Sequence, residues 1–137
     1  MKKLRVGITG DRLYENRYRI KEFIFNLRKQ VPDTEIEIVS LGDTSGADKH
    51  VKKYSLELGY EYREMNPPHT NKNLYSVMSE SFYGKPYLAK NVFARDKIFA
   101  GYIELCVIFD QNNPISRKCS NIFKEIRKLK KKVVVIA

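Results

Sequence analysis

Two short stretches carry residue types suited to gripping an anion. The first is "TGDR", Thr9 to Arg12. Gly10 allows a sharp backbone turn and a close approach by a ligand. Arg12 offers a planar fork that matches a phosphate or a carboxylate. The same residues also make a plain strand-to-helix turn with a surface arginine. The second stretch is "GDTSGADK", Gly42 to Lys49. Gly42 makes a turn, and Ser45, Gly46 and Ala47 open a helix. Small residues there leave backbone N–H groups accessible, and such helix starts bind phosphate. Asp48 falls in the first turn, where its charge favours the helix dipole, or where it meets a ribose hydroxyl. Simple capping by Thr44 or Ser45 is the alternative. A third stretch, Asp110 to Ser116, holds Asp, two Asn, Pro and Ser after an apolar run.

These stretches matter because of the elements that must position them. "LRVGIT", Leu4 to Thr9, reads as a strand. Ile20, Phe23, Ile24, Leu27 and Val31 form an apolar stripe at helical spacing, stopped by Pro32-Asp33. "EIEIVSL", Glu35 to Leu41, is a second strand. Ala47, Val51, Tyr54 and Leu58 mark a second helix that ends at Gly59. "YEYREM" is a short third strand. Residues 66 to 85 are irregular, and a loop that long in a compact domain is functional or mobile. A third helix is expected from Tyr87 to Ala100, a strand over Glu104 to Phe109, and a fourth helix carrying Cys119, Ile122, Phe123, Ile126 and Leu129. "KVVVIA" closes the chain as a buried strand. Strands alternating with helices predict an α/β, Rossmann-like three-layer fold. The sheet is five-stranded and mostly parallel, with helices on both faces, in one domain over residues 1–137. Ligands bind such sheets at the carboxyl ends of the strands, where all three polar stretches fall.

Composition narrows the function classes. The chain has 137 residues and a formal net charge of +10, a field that attracts nucleotides, nucleic acid or acidic surfaces. Part of that charge, in "KEIRKLKKK", belongs to a solvated helix end. No apolar run is long enough to span a bilayer. The apolar part of "MKKLRVGITG" is too short for an export signal, so a cytoplasmic protein with no membrane partner is expected. Cys106 and Cys119 lack metal-ligand spacing and read as reduced core thiols. No metal cluster, no Walker-type loop and no cofactor motif is present. His50 lies near the second polar stretch, and His69 is expected to be exposed. Tyr75, Phe82, Tyr83 and Tyr87 interleave with Lys72, Lys85 and Lys90. That pattern stacks bases, or it belongs to a lid whose aromatics pack on the domain.

Three segments carry a family resemblance: "GITGDR", "VSLGDTSGADKHVKKYSLELGYEYREMNP" and "KNVFARDKIFAGYIELCVIFD". Together they resemble the SLOG superfamily, in particular the small Rossmann-like proteins related to YspA and YpsA. Gly42, Gly46, Ala47 and Asp48 match that family's second motif in register. Arg95-Asp96 falls where the family has an Arg-Asn pair. Relatives include the "lonely guy" phosphoribohydrolases and the DNA-processing protein DprA. The resemblance implies a nucleotide or nucleotide-derived ligand held by Gly10, Arg12, Gly42, Ser45, Gly46, Ala47 and Asp48. Arg95, Asp110 and Ser116 complete the expected site. The chain departs from the family in "DQNNPISRKC", Asp110 to Cys119, where relatives have a Gly-rich phosphate loop. Ile115 resists the left-handed backbone and Pro114 lacks a donor. Cys119 stands where the phosphoribohydrolases have a supporting Glu. The expectation is a sensor, sequestering or nucleotide-processing protein. An N-glycosidase using Asp48, Asp96 or Asp110, and a DprA-like nucleic-acid binder, are the alternatives. A homo-oligomer is compatible with each.

Overall fold

The computed structural model describes residues 3–137; Met1 and Lys2 of the signal-like start lie outside them. Ten elements follow in order. They are β1 (Lys3–Gly10), α1 (Arg17–Gln30), β2 (Glu35–Ser40), α2 (Ala47–Glu57), β3 (Glu61–Glu64), a 3-10 turn (Glu80–Phe82), α3 (Ala89–Tyr102), β4 (Leu105–Phe109), α4 (Arg117–Lys128) and β5 (Lys132–Ile136). The strands form one sheet in the order β3-β2-β1-β4-β5. Every pairing is parallel, as in Val6 with Ile38 and Val6 with Leu105. The order reverses at β1, whose neighbours β2 and β4 lead the chain to opposite sides. Their carboxyl ends therefore diverge around a crevice.

Strand alternation assigns the two faces. Val6, Ile8, Ile36, Ile38, Val107 and Phe109 point to one face, where Ile20, Ile24 and Leu27 of α1 and Val51 and Tyr54 of α2 cover them. Val39, Cys106 and Ile108 point to the other, under Phe99 and Ile103 beside Cys119, Ile122 and Ile126 of α4. Fully burying one such aliphatic side chain contributes about 1.5–3 kcal/mol, so an Ile8→Ala change is expected to remove one of the larger single contributions. Both thiols are free and buried, as expected. Among the described residues no helix is long and apolar enough to cross a membrane.

Local chemistry explains the element ends. Asn16 caps α1 by accepting from Arg19 N. That helix ends at Gln30 with Val31 as its C-cap, and beyond Pro32 the chain turns at Asp33 in a left-handed conformation. Arg28 donates to the carbonyls of Leu58 and Gly59, tying the end of α1 to the end of α2.

One expectation needs correction. The closing strand is not buried. β5 is an edge strand with Val134 41% exposed, because an apolar run specifies a strand but not its rank in the sheet. The stretch after β3 is irregular, as expected, and carries its own hydrogen bonds. Glu64 N donates to Tyr75 O and Val77 N to Glu64 O. Asn66 accepts from the hydroxyls of Ser76 and Tyr83. Val77 and Met78 pack on the second core, and Tyr75 packs edge-on to Tyr62.

Candidate functional site

The loops after β1 and β2 are locked together before any ligand is considered. Gly46 has φ +66°, and a Cβ there would lie 2.4 Å from the carbonyl oxygens of Asp11 and Arg12. A Cβ on Gly10 would lie 2.1 Å from Phe109 O and 2.6 Å from the Ala47 Cβ. These glycines let two backbones touch each other. Ala47 N, one of the helix-start donors expected to face a ligand, instead donates to Asp11 O at 3.0 Å. Gly46 itself is the N-cap of α2, and no side chain caps it. Thr44 and Ser45 are exposed beside it.

Asp48 sits beneath this junction with its side chain fully buried. It accepts from Thr9 Oγ1 at 2.6 Å, from Asp43 N at 3.1 Å and from Lys118 Nζ at 3.0 Å. The carboxylate thus joins β1, the β2 loop and α4, and in this arrangement no oxygen of it is open to a ribose. Lys118 also bonds Asp43 at 3.0 Å, and Asp43 bonds Arg12 Nε at 2.9 Å. The result is a chain of alternating charge, Asp48–Lys118–Asp43–Arg12, whose side chains are 0, 16, 24 and 66% exposed in turn. Burial pushes the Asp43 carboxyl up, but Lys118 and Arg12 outweigh it and hold it below the ordinary carboxylate range. Burial likewise opposes the Lys118 charge, but Asp48 and Asp43 raise its pKa above the ordinary lysine value.

Arg95 is buried and works as a clip. Its Nε donates to Asp96 at 3.0 Å, and its Nη1 donates to Met65 O at 2.9 Å and Leu41 O at 3.3 Å. One side chain of α3 thereby holds the exits of β2 and β3. Asp96 accepts from Asn121 of α4 as well, and burial raises its pKa against the pull of Arg95.

The loop after β4 supplies its own anion. The Asp110 carboxylate accepts from Asn112 N, Asn112 Nδ2 and Ser116 N at 2.8–2.9 Å. Burial opposes its ionisation, but the N–H donors of Asn112 and Ser116 hold its pKa below the ordinary value. The backbone donor at the start of α4 is therefore already satisfied by a carboxylate. Ser116 Oγ caps α4 at Cys119 N. The Cys119 thiol faces the core, where burial pushes its pKa up to about 12. At neutral pH it is a protonated core group.

One cavity, about 260 Å³, opens among these loops. Arg12, Arg95 and Lys118 line it with one carboxylate, Asp43, while Asp48 and Asp96 pair with Lys118 and Arg95 behind the lining. Leu41, Pro67 and Val92 are apolar walls, and His69 and Tyr87 complete the lining. Past Asp43 and Gly42 a second hollow of about 340 Å³ is lined by Lys49, Lys52 and Glu64. A larger trough, about 570 Å³, runs along α1 and brings together a single cation, Arg19. The 260 Å³ cavity is the better candidate because charge, apolar wall and strand ends coincide there.

Of the residues expected from sequence, Arg12 and Arg95 line the cavity, and Asp48 stands behind Lys118. Gly10, Gly42, Gly46 and Ala47 build the loop junction. Asp110 and Ser116 lie outside the lining, as does His50, whose pKa burial and Lys49 lower. Lys118 carried no sequence signal, since one lysine among many at a helix start looks like solvated surface. Asp43 was visible only as a loop residue. His69 is exposed as expected, but it also faces the cavity.

No protein-family model matches the chain, and no curated protein matches it. Two solved structures share its architecture. The molybdenum cofactor binding protein of Rippkaea orientalis aligns with a TM-score of 0.70 at 12% identity, over 98% of this chain and 77% of that one. The molybdenum cofactor carrier protein of Chlamydomonas reinhardtii aligns with a TM-score of 0.68 at 16% identity, over 98% of this chain and 76% of that one. At such identities the likeness is one of fold: this chain has the small Rossmann-like α/β architecture that those two proteins have.

Proposed function

We propose that the chain binds a nucleotide or nucleotide-derived ligand at the carboxyl ends of β1 and β2, as a carrier, sensor or sequestering protein of the SLOG type. The observation that carries this reading is the convergence of Arg12, Arg95 and Lys118 on one cavity lined by a single carboxylate. Donors remain for an anion. Arg12 gives Asp43 only its Nε, so its terminal amino groups are left to donate elsewhere. Lys118 has three N–H donors and uses two on Asp43 and Asp48. Asp43 is the group a phosphate displaces or shares.

A binding role fits these residues better than glycosidic cleavage. The three carboxylates considered for catalysis are each engaged: Asp48 with Lys118, Asp96 with Arg95, Asp110 with its own loop. Cys119 cannot replace the supporting Glu of the phosphoribohydrolases. Under a second reading the cargo is the molybdenum cofactor itself. The fold shared with two proteins described as binding or carrying that cofactor favours it. An anionic cargo of either kind would meet Arg12 and Lys118 beside Asp43, the carboxylate of the lining.

The test is a thermal-shift and calorimetry panel of nucleotides against wild type and Arg12→Ala. A ligand that binds only the native state raises the melting temperature with its saturation. One charge-assisted bond to a phosphate contributes about 1.5–3 kcal/mol, so Arg12→Ala is expected to weaken binding about tenfold or more. Unchanged affinity in that variant removes the proposal. Binding that instead falls steeply with salt and needs oligonucleotides favours the nucleic-acid alternative.

A further inference from the structure

We infer that His69 and Tyr87 form a ring-gripping wall, so that the ligand is a planar heterocycle bearing a phosphate. This rests on the anion reading above and assigns the rest of the same cavity's lining. Leu41, Pro67, Val92 and the two rings line it together with Arg12, Arg95 and Lys118.

The rings meet edge to face, with centroids 4.9 Å apart and planes at 80°. Such a pair ordinarily sits in a core, where burial stabilises it. Here Tyr87 is 67% exposed and His69 is exposed too. The fold therefore holds two aromatic rings together without covering them. The other aromatics of this segment are better covered: Tyr75 packs on Tyr62, Tyr83 donates to Asn66, and Phe82, edge-on to Tyr83, is half-buried.

The pair is also pre-positioned. Gly84 N donates to Thr70 O at 3.2 Å and Lys85 N to Pro68 O at 3.0 Å. These bonds clamp the strand of chain around His69 to the one leading into Tyr87. Thr70 donates back to Pro67 O and accepts from Asn66, which fixes the turn beneath His69. Rings held this way lose little freedom when a ligand arrives, which is how preorganisation raises affinity. An edge-to-face pair leaves one ring face open, and a flat π system is what stacks on it. A cavity of about 260 Å³ falls just below the about 300 Å³ at which ligand sites ordinarily start. It suits one ring and one phosphate rather than a dinucleotide.

The division of labour makes a separable prediction. Cations select the phosphate, whether or not a ring is attached. The aromatic wall selects the ring, and stacking on a side chain changes affinity by about fivefold to a hundredfold. The experiment is calorimetric titration of the four nucleoside monophosphates, ribose 5-phosphate and orthophosphate into wild type, Tyr87→Ala, Tyr87→Phe and His69→Ala. Wild type is expected to bind its best monophosphate at least about fivefold more tightly than ribose 5-phosphate. Tyr87→Ala should erase that advantage and leave ribose 5-phosphate unchanged, whereas Tyr87→Phe should keep it. His69→Ala should reduce the advantage without touching the sugar phosphate. Ribose 5-phosphate binding as tightly as every nucleotide overturns the ring wall alone. So does Tyr87→Ala weakening both ligand classes equally, or Tyr87→Phe losing as much as Tyr87→Ala. Wild type binding none of the six overturns the anion cavity and this inference with it.

Discussion

Replacing Lys118 with methionine tests the core of the argument, because Lys118 is the residue on which two carboxylates depend. Its ammonium bonds Asp48 and Asp43 at 3.0 Å each, with only 16% of the side chain exposed. Methionine keeps the length and apolar stem but removes the charge. Asp43 retains Arg12. Asp48 retains only Thr9 Oγ1 and Asp43 N, and its side chain is fully buried. Removing one partner of a buried pair costs about 3–5 kcal/mol, because the other charge stays buried and uncompensated. The partial exposure of Lys118 places the expected loss near about 3 kcal/mol, a large share of the about 5–15 kcal/mol that holds a domain folded. In a chain this size that lowers the melting temperature by roughly 10 °C. The assay is urea unfolding followed by circular dichroism, with Asp48→Asn and the double variant completing a cycle. Asparagine still accepts from Thr9 and carries no charge, so the double variant should lose less than the sum of the singles, with a coupling of about 2 kcal/mol. A loss under about 1 kcal/mol for Lys118→Met, or strict additivity, refutes the buried charge chain. The pH dependence has a definite sign. The Asp43 pKa is lowered in the fold, so its contribution is present above the unfolded pKa and fades as pH falls through the folded one, below about pH 4. The Lys118 pKa is raised, so its contribution is present below the unfolded pKa and fades as pH rises through the folded one, above about pH 10.5. In wild type these two contributions should therefore be flat from about pH 5 to pH 10.

Three further outcomes follow from the same geometry. Gly46→Ala should lower stability by about 2 kcal/mol or more, since it adds a Cβ at φ +66° against two carbonyl oxygens; equal unfolding midpoints would show that the two loops are not pressed together. Arg12→Ala, at an exposed position, should change stability by less than about 1 kcal/mol, so its loss of ligand affinity can be read as a direct effect; paired denaturation and binding curves separate the two. Both thiols should resist a disulfide reagent at neutral pH, because burial raises their pKa values, to about 12 at Cys119, and should react fully in denaturant. Fast labelling of the native protein would place at least one of them at the surface.

Local patterns carried the architecture. The short apolar, β-branched runs "LRVGIT" and "ELCVIF" and the helical stripe from Ile20 to Leu27 each depend on neighbouring residues, so they were legible in the chain. Those patterns, repeated in alternation, leave a parallel sheet as the arrangement that buries every apolar face. The polar stretches at the strand ends followed from the same order, and so did the place of the candidate site. What each polar residue does there was decided by distant parts of the chain. Gly46 reads as room for a ligand until the backbone of Asp11 and Arg12 is seen to fill that room. Asp48 reads as a free carboxylate until Lys118, seventy positions away, neutralises it. Ser116 reads as a phosphate contact until Asp110 takes its N–H. His69 and Tyr87 are eighteen residues apart and meet only because residues 66 to 88 fold back on themselves. Sequence by itself determined the periodic elements and the end of the sheet where chemistry gathers, because those depend on short-range spacing. Tertiary structure alone decided which charges are paired and which stay open, because pairing is a matter of distance in space between residues that the chain keeps far apart.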